Sequence, residues 1–143
     1  MKYLILVSHG GFAAGLKTSL AMFAADKMDQ VIAVGLEHGQ SVDDFAEVFR
    51  EAVSILSEED SVVVLADIVG GSPLTTACHV LSELGKLDTA LVLGGMNLPM
   101  AITSVVMKDA LDGEDFVAAV LPEAQAALQE FKVVETDEED DDI

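Results

Sequence analysis

Hydrophobic and polar positions in this chain switch repeatedly between two periods. Lys2–Val7 is an apolar, β-rich run that stops at Ser8-His9-Gly10-Gly11. Phe12–Ala24 then carries Phe12, Leu16, Leu20 and Phe23 at helical spacing, which predicts an amphipathic helix with those four inward. Gln30–Leu36 is a second apolar run, followed by the loop Glu37-His38-Gly39-Gln40. Ser41 with Asp44 three residues on resembles a capping box and opens a helix to about Leu56. Ser61–Ala66 is a third strand that ends at Asp67. After Gly70-Gly71, the pattern makes Ser72 an N-cap and Pro73 the first helical residue of a helix ending near Gly85. Thr89–Leu93 is a fourth strand, and Gly94-Gly95-Met96-Asn97-Leu98-Pro99 leads into a helix through about Leu111. A last helix over Glu114–Phe131 should bend at Pro122, and Lys132–Glu135 reads as a short fifth strand. No internal repeat is visible.

Four strand–helix units with uninterrupted apolar strands predict an α/β three-layer sandwich around a mainly parallel sheet. Right-handed crossovers place sites at the carboxyl ends of strands, where strand order reverses. With the order 2-1-3-4, His9 at the end of strand 1 and Asp67 at the end of strand 3 face each other across that point.

Composition narrows the function. The 143 residues make one domain, and 51% of them are apolar, enough for a substantial core. Formal net charge is −19 from 26 acids and 7 bases, which argues against nucleic acid or an anionic membrane as a direct partner. Seven of the acids and none of the bases lie in residues 135–143, so residues 1–134 carry −12. The expected organisation is a domain over 1–135 and a disordered acidic tail over 136–143. A single cysteine, Cys78, fits a reducing compartment. The apolar stretch Tyr3–Val7 is too short for a signal peptide, and nothing approaches a membrane span. These features predict a soluble cytoplasmic protein.

His9 is the strongest chemical candidate, because the two glycines after it leave it open to a partner. An imidazole acts cleanly through one ring nitrogen when the other is held by an acceptor, and Asp67 is placed to be that acceptor. Gly70-Gly71-Ser72-Pro73 allows backbone N–H groups to converge at a helix N-terminus, an anion site, although this segment alone also fits a plain capped turn. Arg50 is the chain's single arginine and falls mid-helix. A phosphoryl group at His9 would therefore depend on amides, the helix dipole and the Ser72 hydroxyl. No Walker motif, G-x-G-x-x-G or strand-end acid cluster for magnesium is present. His38 reads as a solvated loop residue. His79 and Cys78 are adjacent on a helix and point apart, without a third metal ligand. Met96, Met100 and Met107 read as packing.

Together, SHGG at 8–11, DIVGGSP at 67–73 and GGMNLPM at 94–100 resemble the IIA component of the mannose-type sugar phosphotransferase system, over essentially residues 1–135. The resemblance implies that His9 accepts a phosphoryl group from the phosphocarrier HPr and passes it to the cognate IIB component. The membrane IIC and IID components are then indirect partners, and neither cofactor nor metal is needed. It implies that Asp67 orients His9, that Ser72 hydrogen-bonds the phosphate, and that Gly10, Gly70 and Gly71 supply phosphate-binding backbone. It also implies a homodimer that exchanges a short C-terminal strand, for which Lys132–Glu135 is the candidate. Pro122 and the acidic tail depart from the family pattern.

Three rivals follow from the same residues. Ser72, His9 and Asp67 are the residue types of a hydrolase triad, without a G-x-S-x-G elbow. A flavodoxin-like binder would need aromatics in the site loops, and a receiver domain would need acids where Ser8-His9 stand. The phosphotransfer subunit of a dihydroxyacetone kinase is a relative that should lack the GGSP and NLPM pair.

Overall fold

β1 (Lys2–His9) occupies an inner position in the sheet, and Leu4, Ile5, Leu6 and Val7 at its centre are completely buried. The computed structural model describes residues 1–134. In chain order, β1 is followed by α1 (Phe12–Leu20), a 3-10 helix (Ala25–Gln30), β2 (Val31–Leu36) and α2 (Val42–Ala52). Then come β3 (Ser61–Ala66), α3 (Ser72–Glu83), β4 (Leu91–Leu93), α4 (Leu98–Met107) and α5 (Gly113–Ala126). The four strands form one sheet in the order β2-β1-β3-β4 with every pairing parallel, as the alternating periods predict.

Uninterrupted apolar strands follow from burial on both faces. Leu4, Leu6, Val63 and Leu65 point to one side, into a core shared with α1, α4 and α5. Ile5, Val7, Val62, Val64 and Ala66 point to the other, against Phe45 and Phe49 of α2 and Leu74, Ala77, Val80 and Leu81 of α3. Each fully buried side chain of this size contributes roughly 1.5–3 kcal/mol by removal from water. The sheet therefore holds the strand ends, and with them the site, in fixed register.

Several boundaries differ from the sequence reading. α1 ends at Leu20, not Ala24, and Phe12 and Phe23 are exposed while Ala13, Leu16 and Leu20 face the core. β2 starts at Val31 and not at Gln30, because Ala25–Gln30 form a 3-10 helix. Lys108, fully buried, fastens it: its ammonium is held by Gln30 Oε1 and by Asp109 at 3.2 Å. Ser41 does cap α2, its Oγ accepting from Asp44 N at 3.0 Å. Asn97 does the same for α4, accepting from Met100 N at 2.8 Å.

α3 starts one residue differently from the expectation. Gly71 is its N-cap, with no side-chain cap, which places Ser72 at the first helical position and Pro73 at the second. α5 runs through Pro122 and stops at Ala126 rather than Phe131. Of the strand expected over 132–135, residues 132–134 pair with no strand among the described residues. Residues 131–134 have no regular structure, and Phe131, Val133 and Val134 are exposed. Glu135 and the acidic tail lie outside the described residues. No helix among the described residues is long and apolar enough to cross a membrane.

Gly35 in β2 marks the closest approach of two backbones. Gly10 N donates to Leu36 O at 2.7 Å, which draws the turn after β1 across the end of β2. A Cβ at Gly35 would lie 2.0 Å from Gly10 O. Gly35→Ala should therefore lower stability by about 1–3 kcal/mol, the usual cost of overpacking against atoms that cannot rotate away. A lower urea midpoint at unchanged slope is the expected result.

Candidate functional site

The parallel register fixes where the site residues emerge. Val7 of β1 is paired with Ala66 of β3, and Asp67 N donates to Val7 O at 3.2 Å, so the chains diverge just beyond. Ser8 is completely buried, and its Oγ accepts from Ala13 N at 2.7 Å. It thereby satisfies one of the free amides at the start of α1, a helix without a side-chain cap of its own. The next side chain alternates to the open side. His9 accordingly stands at the carboxyl edge of the sheet with its side chain 48% exposed.

His9 Nδ1 lies 2.8 Å from Asp67 Oδ2. The same carboxylate oxygen accepts from the backbone N of His9 at 2.9 Å, while Oδ1 accepts from Ile68 N at 2.8 Å. Partial burial works against the charge of Asp67, yet the His9 amide, the His9 ring and the Ile68 amide outweigh it and lower its pKa. An ionised acceptor on Nδ1 sets the tautomer with hydrogen on Nδ1 and a lone pair on Nε2. The imidazole thus offers Nε2 as a nucleophile.

The floor under the ring is Gly71. A Cβ there would lie 2.8 Å from His9 Cε1, so the close seat of the imidazole requires glycine. Gly10 and Gly70 have φ of 57° and 89°, left-handed values that let both loops turn sharply beside His9. At the start of α3, Thr75 N is bonded to Gly71 O at 3.1 Å, whereas the amides of Ser72 and Leu74 precede the intrahelical ladder. Ser72 is exposed, directly after the residue that supports the ring. Its Oγ makes no hydrogen bond to His9 among the described contacts, so the pairing that a serine nucleophile needs is not formed. Phe12 at the start of α1, and Ile68 and Val69 on the loop after Asp67, expose apolar surface beside His9.

Other candidates fall away from this point. His38 is exposed and lines, with Gly10, Gly11, Gly35 and Glu37, an open cleft of about 470 Å³ beside the site that does not include His9. His79 is also exposed, its Nε2 3.2 Å from Glu83. The neighbouring Cys78 is half-buried, with its thiol pKa pushed up by burial. Among the described residues, no three His, Cys, Asp or Glu side chains are grouped to hold a metal. Sequence reasoning located His9 and Asp67 but missed the two amides that clamp Asp67 and the contact that makes Gly71 obligatory. The paired glycines were the available signal for the latter.

Comparison with known proteins is consistent across sequence and structure. A family model described as PTS system fructose IIA component matches residues 3–121. The PTS system fructose-specific EIIA component of Bacillus subtilis (strain 168) is 28% identical over 125 residues, spanning 87% of this chain and 83% of the relative. The phosphotransferase system component EIIA from Streptococcus agalactiae has a similar structure, with a TM-score of 0.75 at 25% identity, covering 91% of this chain and 97% of that one. The mannose/sorbose specific IIA subunit from Enterococcus faecalis gives a TM-score of 0.73 at 26% identity, covering 95% and 99%.

Gly71→Ala should force the imidazole off its seat and weaken the bond between Nδ1 and Asp67. Nitrogen NMR of His9 at neutral pH is the check. The variant should lose the strong preference for hydrogen on Nδ1, and an unchanged ring spectrum would refute the contact.

Proposed function

The chain belongs to the family of fructose- and mannose-type IIA components of the sugar phosphotransferase system, and from that premise we propose that His9 is its phosphoryl carrier. The observation that carries the reading is the bond of 2.8 Å between His9 Nδ1 and Asp67, which leaves Nε2 free at an exposed edge.

Phosphoryl transfer follows from that arrangement. The Nε2 lone pair attacks the phosphorus of phospho-HPr in line; the N–P bond of the donor breaks as the Nε2–P bond forms. The donor histidine recovers its lone pair. Positive charge grows on the His9 ring, and ionised Asp67 stabilises it through Nδ1–H. The equatorial phosphoryl oxygens fall to the backbone around Gly10, Gly70 and Gly71, the start of α3 and the Ser72 hydroxyl. Transfer to the cognate IIB component is the same step reversed onto a new nucleophile, so neither metal nor nucleotide enters. Apolar Phe12, Ile68 and Val69 give the partners a surface to dry, and the acidic body favours a basic face on the carrier through encounter rate.

The protein is proposed to be cytoplasmic and to work as a homodimer. Exposed Leu128, Phe131, Val133 and Val134 follow α5 with no cover among the described residues, which suits a segment that pairs with a second copy. The domain then extends through 135, and the acidic residues beyond it serve solubility.

Incubation with phosphoenolpyruvate, enzyme I and HPr should place acid-labile phosphate on this protein. His9→Gln should abolish the labelling, and Asp67→Asn should slow it by on the order of a hundredfold with the fold retained. Retained labelling in His9→Gln would end the assignment. For the assembly, deletion of 132–143 should shift the sedimentation profile toward monomer, whereas deletion of 137–143 should leave it unchanged. Equal behaviour of the two truncations would contradict strand exchange.

A further inference from the structure

Both contacts that orient the His9 ring come from the loop between β3 and α3, with Asp67 at its start and Gly71 at its end. Val69 stands midway and is 75% exposed, yet its side chain rests on the β4–α4 turn. A Cβ added at Gly94 would lie 2.2 Å from Val69 Cγ2 and 3.4 Å from both Val69 Cβ and its backbone N. Gly94 has no left-handed φ, so a side chain there would meet crowding and not left-handed backbone strain. What the position demands is empty space.

The turn that holds Gly94 is itself fixed. Leu93 before it is paired with Leu65 of β3. Beyond it, Met96 N donates to Ala66 O at 2.9 Å, immediately before Asp67. Asn97 caps α4 and also donates to Ala124 O of α5 at 3.3 Å. The β3–α3 loop is therefore fastened at Ala66, folds back over Gly94 through Val69, and turns at Gly70 to bring Gly71 under His9. Each contact with the imidazole lies two residues from the point of support.

We propose that Gly94 is a positioning residue for His9: its missing side chain is the seat for Val69, and that seat sets the loop that aligns the imidazole. The kinetic consequence rests on His9 being the phosphoryl acceptor, while the structural consequence rests on geometry alone. A side chain at 94 lifts Val69, carries Asp67 and Gly71 with it, and leaves Nε2 misaimed.

The test uses the full chain in three forms: Gly94→Ala, Val69→Ala and the double variant. Nitrogen NMR of His9 is read in each, together with the rate of labelling by phospho-HPr. In Gly94→Ala the Nδ1–H preference should weaken. Labelling should fall on the order of tenfold to a hundredfold, the usual result of misplacing a reacting group by about an ångström. The double variant has lost the clashing methyl and should regain the wild-type ring spectrum, a coupling that general damage would not produce; the spectrum decides this arm, since Val69 also belongs to the apolar surface offered to partners. An unchanged spectrum in Gly94→Ala, through rotation of Val69 alone, overturns the proposal. So does failure of the double variant to restore the spectrum, including loss of fold in both. If wild-type protein takes no phosphate on His9, the proposed carrier function fails, and the spectra still decide the seat.

Discussion

Everything at the carboxyl edge of the sheet depends on one carboxylate accepting from both the backbone and the ring of the same histidine. Asp67 Oδ2 takes His9 N at 2.9 Å and His9 Nδ1 at 2.8 Å, while Oδ1 is held by Ile68 N at 2.8 Å. The two amides fix the carboxylate, and the fixed carboxylate fixes the ring. This demands that β1 and β3 be neighbours in parallel register, which the buried apolar layers on both faces enforce. The fold's contribution to chemistry is thus positional, appropriate to transfer between groups of similar energy, where alignment matters more than driving force.

Much of this was legible in the sequence because the periods were clean. The four strands, their order and the facing of His9 and Asp67 followed from apolar runs and from the crossover rule. The errors have local physical causes. Phe12 and Phe23 share a helical spacing with Leu16 and Leu20, but α1 ends before Phe23 and its core-facing stripe runs through Ala13, which apolarity alone does not distinguish. Ser72 looked like an N-cap because serine suits one, yet Gly71 takes the extended conformation and Ser72 begins the helix. Residues 132–134 form no strand among the described residues, but the sequence resemblance assigns them to a strand exchanged with a second copy, and pairing is a property of two segments that one chain does not test. Contacts such as Gly94 against Val69 cannot be read from spacing, since they join loops after different strands.

The scarcity of arginine takes on a structural meaning here. Arg50, the single arginine, is paired with Glu83 at 2.9 Å on the outer surface of α2 and α3. Charge at the site comes instead from Asp67, and around it lie backbone amides, glycines and exposed apolar side chains. Under the proposed carrier role, such a surface would hold a phosphoryl group without a strong cationic trap. A tight trap would slow its onward transfer, so a carrier benefits from weak holding.

The grip of Asp67 on Nδ1 also has a consequence for traffic. A ring anchored on one side can receive and release only through the other, along a single line of approach. If His9 is the carrier proposed above, donor and recipient must stand in the same place, and neither can be present while the other is served. On that proposal the protein is a shuttle with a one-berth dock: occupancy by either partner excludes the other, and throughput depends on how quickly each departs.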